Sequence, residues 1–181
     1  MTDRRPPAKI SPQYLENAAL HYLERFASSS ANLRRVLIRK VDRSLAHWGG
    51  EREAAVRQVE ATLAKLARLG YLDDAAYAAQ KVQGLHRRGK GVRAIRAALA
   101  VKGVAGDDAD AALARLAEDQ PEPDLVSAAT LARKRRLGPW RPEDQRAATR
   151  QKDMAALARA GFDFDTARRV IDAATPEDIP V

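Results

Sequence analysis

The 181-residue chain carries 32 lysines and arginines against 24 acidic residues, a formal net charge of +8, and it has no cysteine. A disulfide framework and a thiolate metal site are therefore excluded, and the basic balance favours a polyanionic partner, either nucleic acid or an acidic protein surface. With 37 alanines and only 5% aromatic residues, slim and closely packed helices are expected rather than one thick core, so the fold class is read as all-α.

The charged start, residues 1–10 with Pro6-Pro7, is read as a disordered tail. No apolar run follows it and no stretch approaches membrane-spanning length, so a soluble, cytoplasmic protein is expected. Ser11-Pro12 then reads as a helix cap followed by proline at the first helical position, with Leu15, Ala19, Tyr22, Leu23 and Phe26 on one face. Ser28-Ser29-Ser30 breaks the chain. A second helix uses Leu33, Val36, Leu37 and Val41, and offers Arg34, Arg35, Arg39 and Lys40 on its other side. Ala46 to Gly50, containing His47 and Trp48, reads as an inserted loop, after which Val56, Val59, Leu63 and Leu66 form a third helix that stops at Gly70.

Asp73 is the expected cap of the next helix, where a carboxylate can accept from free amides at the helix start. Its apolar stripe is Ala75, Ala79, Val82 and Leu85 or His86. Gly89-Lys90-Gly91 separates it from a helix striped by Val92, Ile95 and Leu99, with Gly103 as a left-handed stop. Between Ala75 and Gly106 lie seven Lys or Arg and no acid, whereas residues 107–124 carry seven acids against Arg115 alone. That segregation exceeds what a merely arginine-rich composition needs. Asp107 is the expected cap of a helix bearing Ala109, Ala112, Leu113, Leu116 and Ala117.

Gln120 to Pro123 reads as a stiff linker. Leu125, Ala128, Ala129 and Ala132 open the next apolar stripe, which ends in the basic run Arg133, Lys134, Arg135 and Arg136. Gly138 to Pro142, around Trp140, interrupts the chain before a helix holding Met154, Leu157 and Ala158. The last helix uses Phe164, Ala167, Val170, Ile171 and Ala174, and residues 175–181 are read as a frayed tail.

A repeat underlies this order. Leu99 to Val104 returns as Leu157 to Phe162, with a degenerate copy at Leu37 to Val41. Each copy lies between two amphipathic helices, which gives three tandem three-helix repeats over residues 11–72, 73–119 and 124–174. Such units bury little alone, so they should stack into an elongated, curved array.

No catalytic set emerges. Asp73-Asp74 fits a helix cap better than a metal site, and His21, His47 and His86 lack metal-ligand spacing. Gly89-Lys90-Gly91 lacks the frame of a phosphate loop, and Trp48 and Trp140 are read as pinned loop residues rather than base-stacking platforms. What remains is basic: Arg34, Arg35, Arg39, Lys40, Arg87, Arg88, Lys90, Arg93, Arg96, Lys102, Arg133, Lys134, Arg135 and Arg136 are the candidate binding residues, read together as a basic track suited to carboxylates and phosphates alike. No metal, cofactor or enzyme activity is expected.

Leu72-Asp73-Asp74 with Tyr77-Ala78, then the run from Arg87 to Val104 and the later ALARAGFDFDTARRVI beginning at Ala156, resemble the RecX family of bacterial recombination regulators over residues 14–174. The first repeat departs from the family pattern at Ser28-Ser29-Ser30-Ala31 and at the Trp48 stretch. The resemblance implies a modulator that docks in the groove of RecA filaments on single-stranded DNA and restrains ATP hydrolysis, strand exchange and co-protease activity; a monomer is expected. The competing expectation is a basic helical nucleic-acid-binding protein that acts only by competing for DNA.

Overall fold

A computed structural model describes residues 6–179. Among them are nine α-helices and no strand: α1 (Pro12–Leu23), α2 (Ser30–Trp48), α3 (Arg52–Arg68), α4 (Asp74–His86), α5 (Val92–Lys102), α6 (Gly106–Asp119), α7 (Pro123–Arg135), α8 (Glu143–Arg159) and α9 (Phe164–Ile171). Short 3-10 turns occupy Gly138–Trp140 and Pro176–Asp178. The all-α class follows the sequence reading.

Several helices begin where a side chain can satisfy a free amide. Ser11 Oγ accepts from the Tyr14 amide at 3.1 Å, and Asp73 Oδ1 accepts from Ala76 at 2.8 Å. Ser29 Oγ accepts from Asn32 at 3.2 Å, so the serine break is itself the cap of α2. Asp163 Oδ1 accepts from Thr166 at 2.7 Å and starts α9.

The chain divides into two compact units. One runs as far as Tyr77 and takes back Lys102–Val104; the other holds Ala78–Val101 and everything from Ala105 onward. The division cuts across the middle triplet, so compactness alone does not isolate it, and three tandem repeats stand as our proposed segmentation. In the first unit Leu15, Ala19, Leu33, Leu37, Val41, Val59 and Leu66 are fully enclosed. In the second, one core is formed by Leu125, Ala128, Ala132, Leu157, Phe162 and Val170, and Ile95 and Leu99 are also fully buried. The anchor leucines Leu37, Leu99 and Leu157 occupy the middle helices α2, α5 and α8, each with no exposed surface. Each such burial contributes about 1.5–3 kcal/mol of transfer free energy.

Some expected faces are revised. Phe26 lies beyond the end of α1 and is 55% exposed, and Phe164, at the first position of α9, is 65% exposed beside Arg168. The buried stripe of α4 is Tyr77, Ala78, Val82 and His86; Ala75 faces solvent. Ala117, Ala158 and Ala174 are exposed as well. Ala46, His47 and Trp48 are not an inserted loop, because α2 continues through them and stops at Gly49 (φ 70). Asp107 lies in the first turn of α6 and makes no side-chain cap; the cap position is Ala105.

Both ends differ from free tails. Residues 1–5 and 180–181 lie outside the described residues. The Trp48 indole donates to the Pro7 carbonyl at 2.7 Å, the Lys9 ammonium stands 5.0 Å over the ring, and Ile10 packs on the first core. Near the C-terminus, Arg146 donates to the carbonyls of Arg141, Pro139 and Ala174, and Ile179 is buried in the second unit's core. One arginine thus satisfies three loop carbonyls that no helix ladder reaches.

Candidate functional site

The turn between α4 and α5 carries Arg87, Arg88 and Lys90, and the sequence folds so that this turn lies on α7. Gly89 (φ 74) makes that approach possible: a Cβ there would come within 2.8 Å of the Leu131 Cβ and 3.1 Å of the Ser127 carbonyl. Ser127 Oγ donates to the His86 carbonyl at 3.1 Å, and His86 Nε2 lies 2.8 Å from the Pro123 carbonyl, which only a protonated Nε2 can satisfy. His86 and Ser127 are therefore buried partners of the turn rather than metal ligands.

One helical turn beyond Leu131, α7 ends in Arg133, Lys134 and Arg135, with Arg136 in the left-handed conformation (φ 53). These four and Arg87, Arg88 and Lys90 are all exposed. None of the seven has an ion-pair partner among the described residues. Cations in the last turn of α7 are favoured by the partial negative charge of the helix C-terminus. Seven exposed positive side chains thus lie within five residues of Gly89 or Leu131, where the turn meets α7, and none is paired among the described residues.

The remaining candidates are placed differently. Arg96 pairs with Asp110 on α6, and Arg34 pairs with Glu60 on α3 at 2.6 Å. Arg93 lies close enough to Asp163 to help hold that carboxyl below its ordinary range, an effect led by the Thr166 hydrogen bonds. Arg93 and Arg96 both line a cleft of about 340 Å³ with Val92, Asp124, Gly161 and Asp163. Arg35 and Arg39 are exposed on α2, while Lys40 is half-buried. Lys102 is half-buried too, and its carbonyl accepts from Ser29 Oγ at 2.5 Å. Arg34, Arg35, Arg39, Lys40 and Lys102 belong to the first unit and the other nine to the second.

The sequence reading did not connect Asp110 and Asp163 with the arginines they answer. The signal was present: the acid-rich stretch directly follows the acid-free one, so helices of opposite charge were available to pair. Asp73 and Asp74 act at helix ends, with Asp74 Oδ1 accepting from the Ser30 amide at 2.7 Å. Trp48 is pinned as described above, and Trp140 packs on the second unit's core. Among the described residues no group of three His, Asp or Glu is arranged to hold a metal, and no helix is long and apolar enough to cross a membrane.

The all-helical fold, with one cationic turn whose charges no described residue pairs, is that of a helical-repeat protein. The profile of the second three-helix domain of RecX matches residues 73–113, which span α4, α5 and most of α6. The chain is 48% identical over 167 residues to the regulatory protein RecX of Myxococcus xanthus (strain DK1622), covering 92% of this chain and 88% of that protein. It is 33% identical over 174 residues to the regulatory protein RecX of Agrobacterium fabrum (strain C58), covering 94% and 89%. A crystal structure of regulatory protein RecX superposes with a TM-score of 0.60 at 26% identity, over 90% of this chain and 72% of that one. The chain belongs to the RecX family of regulatory proteins.

Proposed function

We propose that this protein is a negative modulator of the RecA recombinase. It binds RecA filaments on single-stranded DNA and lowers their ATPase, strand-exchange and co-protease activities, as a cytoplasmic monomer without cofactor or metal and without chemistry of its own. Membership of a family of regulators supports the regulatory role. The observation that carries the choice of partner class is the cluster of Arg87, Arg88, Lys90, Arg133, Lys134, Arg135 and Arg136, whose charges nothing in the described protein neutralises. A filament groove supplies both DNA phosphates and acidic side chains, and guanidinium groups pair with either through two donors. Arg34, Arg35, Arg39, Lys40, Arg93, Arg96 and Lys102 are proposed as secondary contacts. Arg34 and Arg96 must first leave Glu60 and Asp110.

The second reading is competition for DNA alone, which the same unpaired cations favour. The two readings separate on stoichiometry. In an assay of RecA's DNA-dependent ATPase, filament binding predicts inhibition by protein far below the amount that saturates the DNA, and Arg87→Glu with Arg88→Glu should abolish most of it with helix content unchanged. Inhibition that appears only once the DNA is saturated would leave simple competition as the explanation.

A further inference from the structure

One set of contacts is built twice. In the first unit, the amide of Ser30, the first residue of α2, donates to Asp74 Oδ1 at 2.7 Å, and the hydroxyl of the preceding residue, Ser29, donates to the Lys102 carbonyl at 2.5 Å. Gly103 (φ 71) lies so close to α2 that a Cβ there would meet the Ala31 Cβ at 2.6 Å. In the second unit, the amide of Val92, the first residue of α5, donates to Asp124 Oδ1 at 2.6 Å, and the amide of the preceding residue, Gly91, donates to the Ala160 carbonyl at 3.1 Å. Gly161 (φ 100) approaches α5 so closely that a Cβ there would meet the Ala94 Cβ at 2.5 Å.

The roles correspond one to one. Ser30 and Val92 each begin the middle helix of a triplet. Asp74 and Asp124 each lie in the first turn of the helix that opens the next triplet, α4 or α7. Lys102 is the last residue of the next triplet's middle helix α5, Ala160 is the C-cap of α8 in the following triplet, and Gly103 and Gly161 are the left-handed residues that follow them.

The physical need is the same in both places. The first amides of a helix have no intrahelical acceptor and form the positive end of its dipole, whereas the last carbonyls of another helix form a negative end. Bringing the two ends together with a carboxylate answers both. Glycine is required twice over at the stop, for its positive φ and because any side chain would strike an alanine. α8, the last middle helix among the described residues, is capped by Pro142 and carries its own Glu143 and Asp144 in the first turn.

We propose that these contacts are one coupling joint used twice, with Asp74 and Asp124 as its positioning residues. The carboxylate that opens a triplet closes the N-terminus of the preceding triplet's middle helix. It thereby fixes how the first turn of each opening helix meets the N-terminus of the preceding middle helix. Through Asp124 the joint seats α7, whose far end carries residues 133–136, on α5. This inference is independent of the filament proposal, since the joint is internal to the protein.

Amide hydrogen exchange, read by NMR on the full-length protein, tests it. First-turn amides ordinarily exchange almost freely, so protection of Ser30 and Val92 by about tenfold or more is the expected signature of the joint. Asp74→Ala should remove protection at Ser30 only, and Asp124→Ala at Val92 only, with Leu37 in the first case and Ile95 and Leu99 in the second keeping theirs. Asp124→Asn keeps an acceptor oxygen and should retain most of the protection at Val92, which also serves should Asp124→Ala fail to fold. Free exchange at Val92 in the unaltered protein, or equal loss of protection in the Asn variant, would overturn the proposal.

Discussion

Replacing Arg133, Lys134, Arg135 and Arg136 together by glutamine tests the cationic turn most directly, because glutamine keeps a helix-compatible length and removes only charge. All four side chains are exposed and have no ion-pair partner among the described residues, so each is available to displace a counterion from a bound strand. Each phosphate neutralised on single-stranded DNA contributes roughly 0.7 to the slope of log affinity against log salt. Loss of four such contacts should lower the slope by about 3, from an upper limit near 5 if all seven cations of the cluster engage. Arg34→Gln and Arg96→Gln should each change it by less than about 0.7, because Glu60 and Asp110 already answer those charges. The assay is fluorescence anisotropy on a labelled oligonucleotide, free and in RecA filaments, across a salt series. An unchanged slope in the fourfold variant, or larger changes from Arg34 and Arg96, would refute the assignment of the cluster as the main anion contact.

Asp110→Asn should strengthen polyanion binding by up to about fivefold at low salt, since it releases Arg96 from an exposed ion pair worth only a fraction of a kcal/mol to about 1. Leu99→Ala should cost about 2–5 kcal/mol in denaturant unfolding, while Val101→Ala on the same helix, at a position 69% exposed, should stay within about 0.5 kcal/mol. Asp153→Ala should cost about 2–3 kcal/mol, or roughly 5–10 °C in Tm. The buried carboxylate accepts two bonds from Arg141 at 2.8 Å and one from the Gly138 amide at 3.1 Å; Arg141 itself is about one-fifth exposed, which reduces the loss.

Asp153 also makes stability depend on pH. Burial raises its pKa, but the Arg141 hydrogen bonds and the Gly138 amide outweigh burial and hold the carboxyl below the usual aspartate range. The unfolded chain therefore takes up a proton before the folded one does. Its stabilisation is complete above about pH 4 and is lost as pH falls through the folded value. The unfolding free energy of Asp153→Asn should accordingly vary less with pH in that window, and an unchanged pH profile would contradict the pairing.

The cationic cluster was legible in part. Acid-free residues 75–106 and the basic run at 133–136 stand out along the chain, but nothing in their spacing says that the Gly89 turn lies on Leu131. Nor does it say that, among the described residues, Arg96 is already paired while Arg88 is not. Those distinctions depend on which helices touch, and charge pattern along a sequence carries no distance between helices. The joint was hidden for the same reason: Asp73 and Asp74 look alike as caps, yet the first serves its own helix and the second serves α2.

By itself the sequence determined the helices and the three anchor leucines, because local propensity, caps and apolar period act over a few residues at a time. It also determined the family. Only tertiary structure decided which acids answer which arginines, that Trp48 belongs to α2 and covers the N-terminal segment, and that Asp74 and Asp124 close helices far from them in sequence. The last of these depends on helix ends meeting across 32 to 44 residues of chain, where dipoles and hydrogen bonds select a partner that no local pattern specifies.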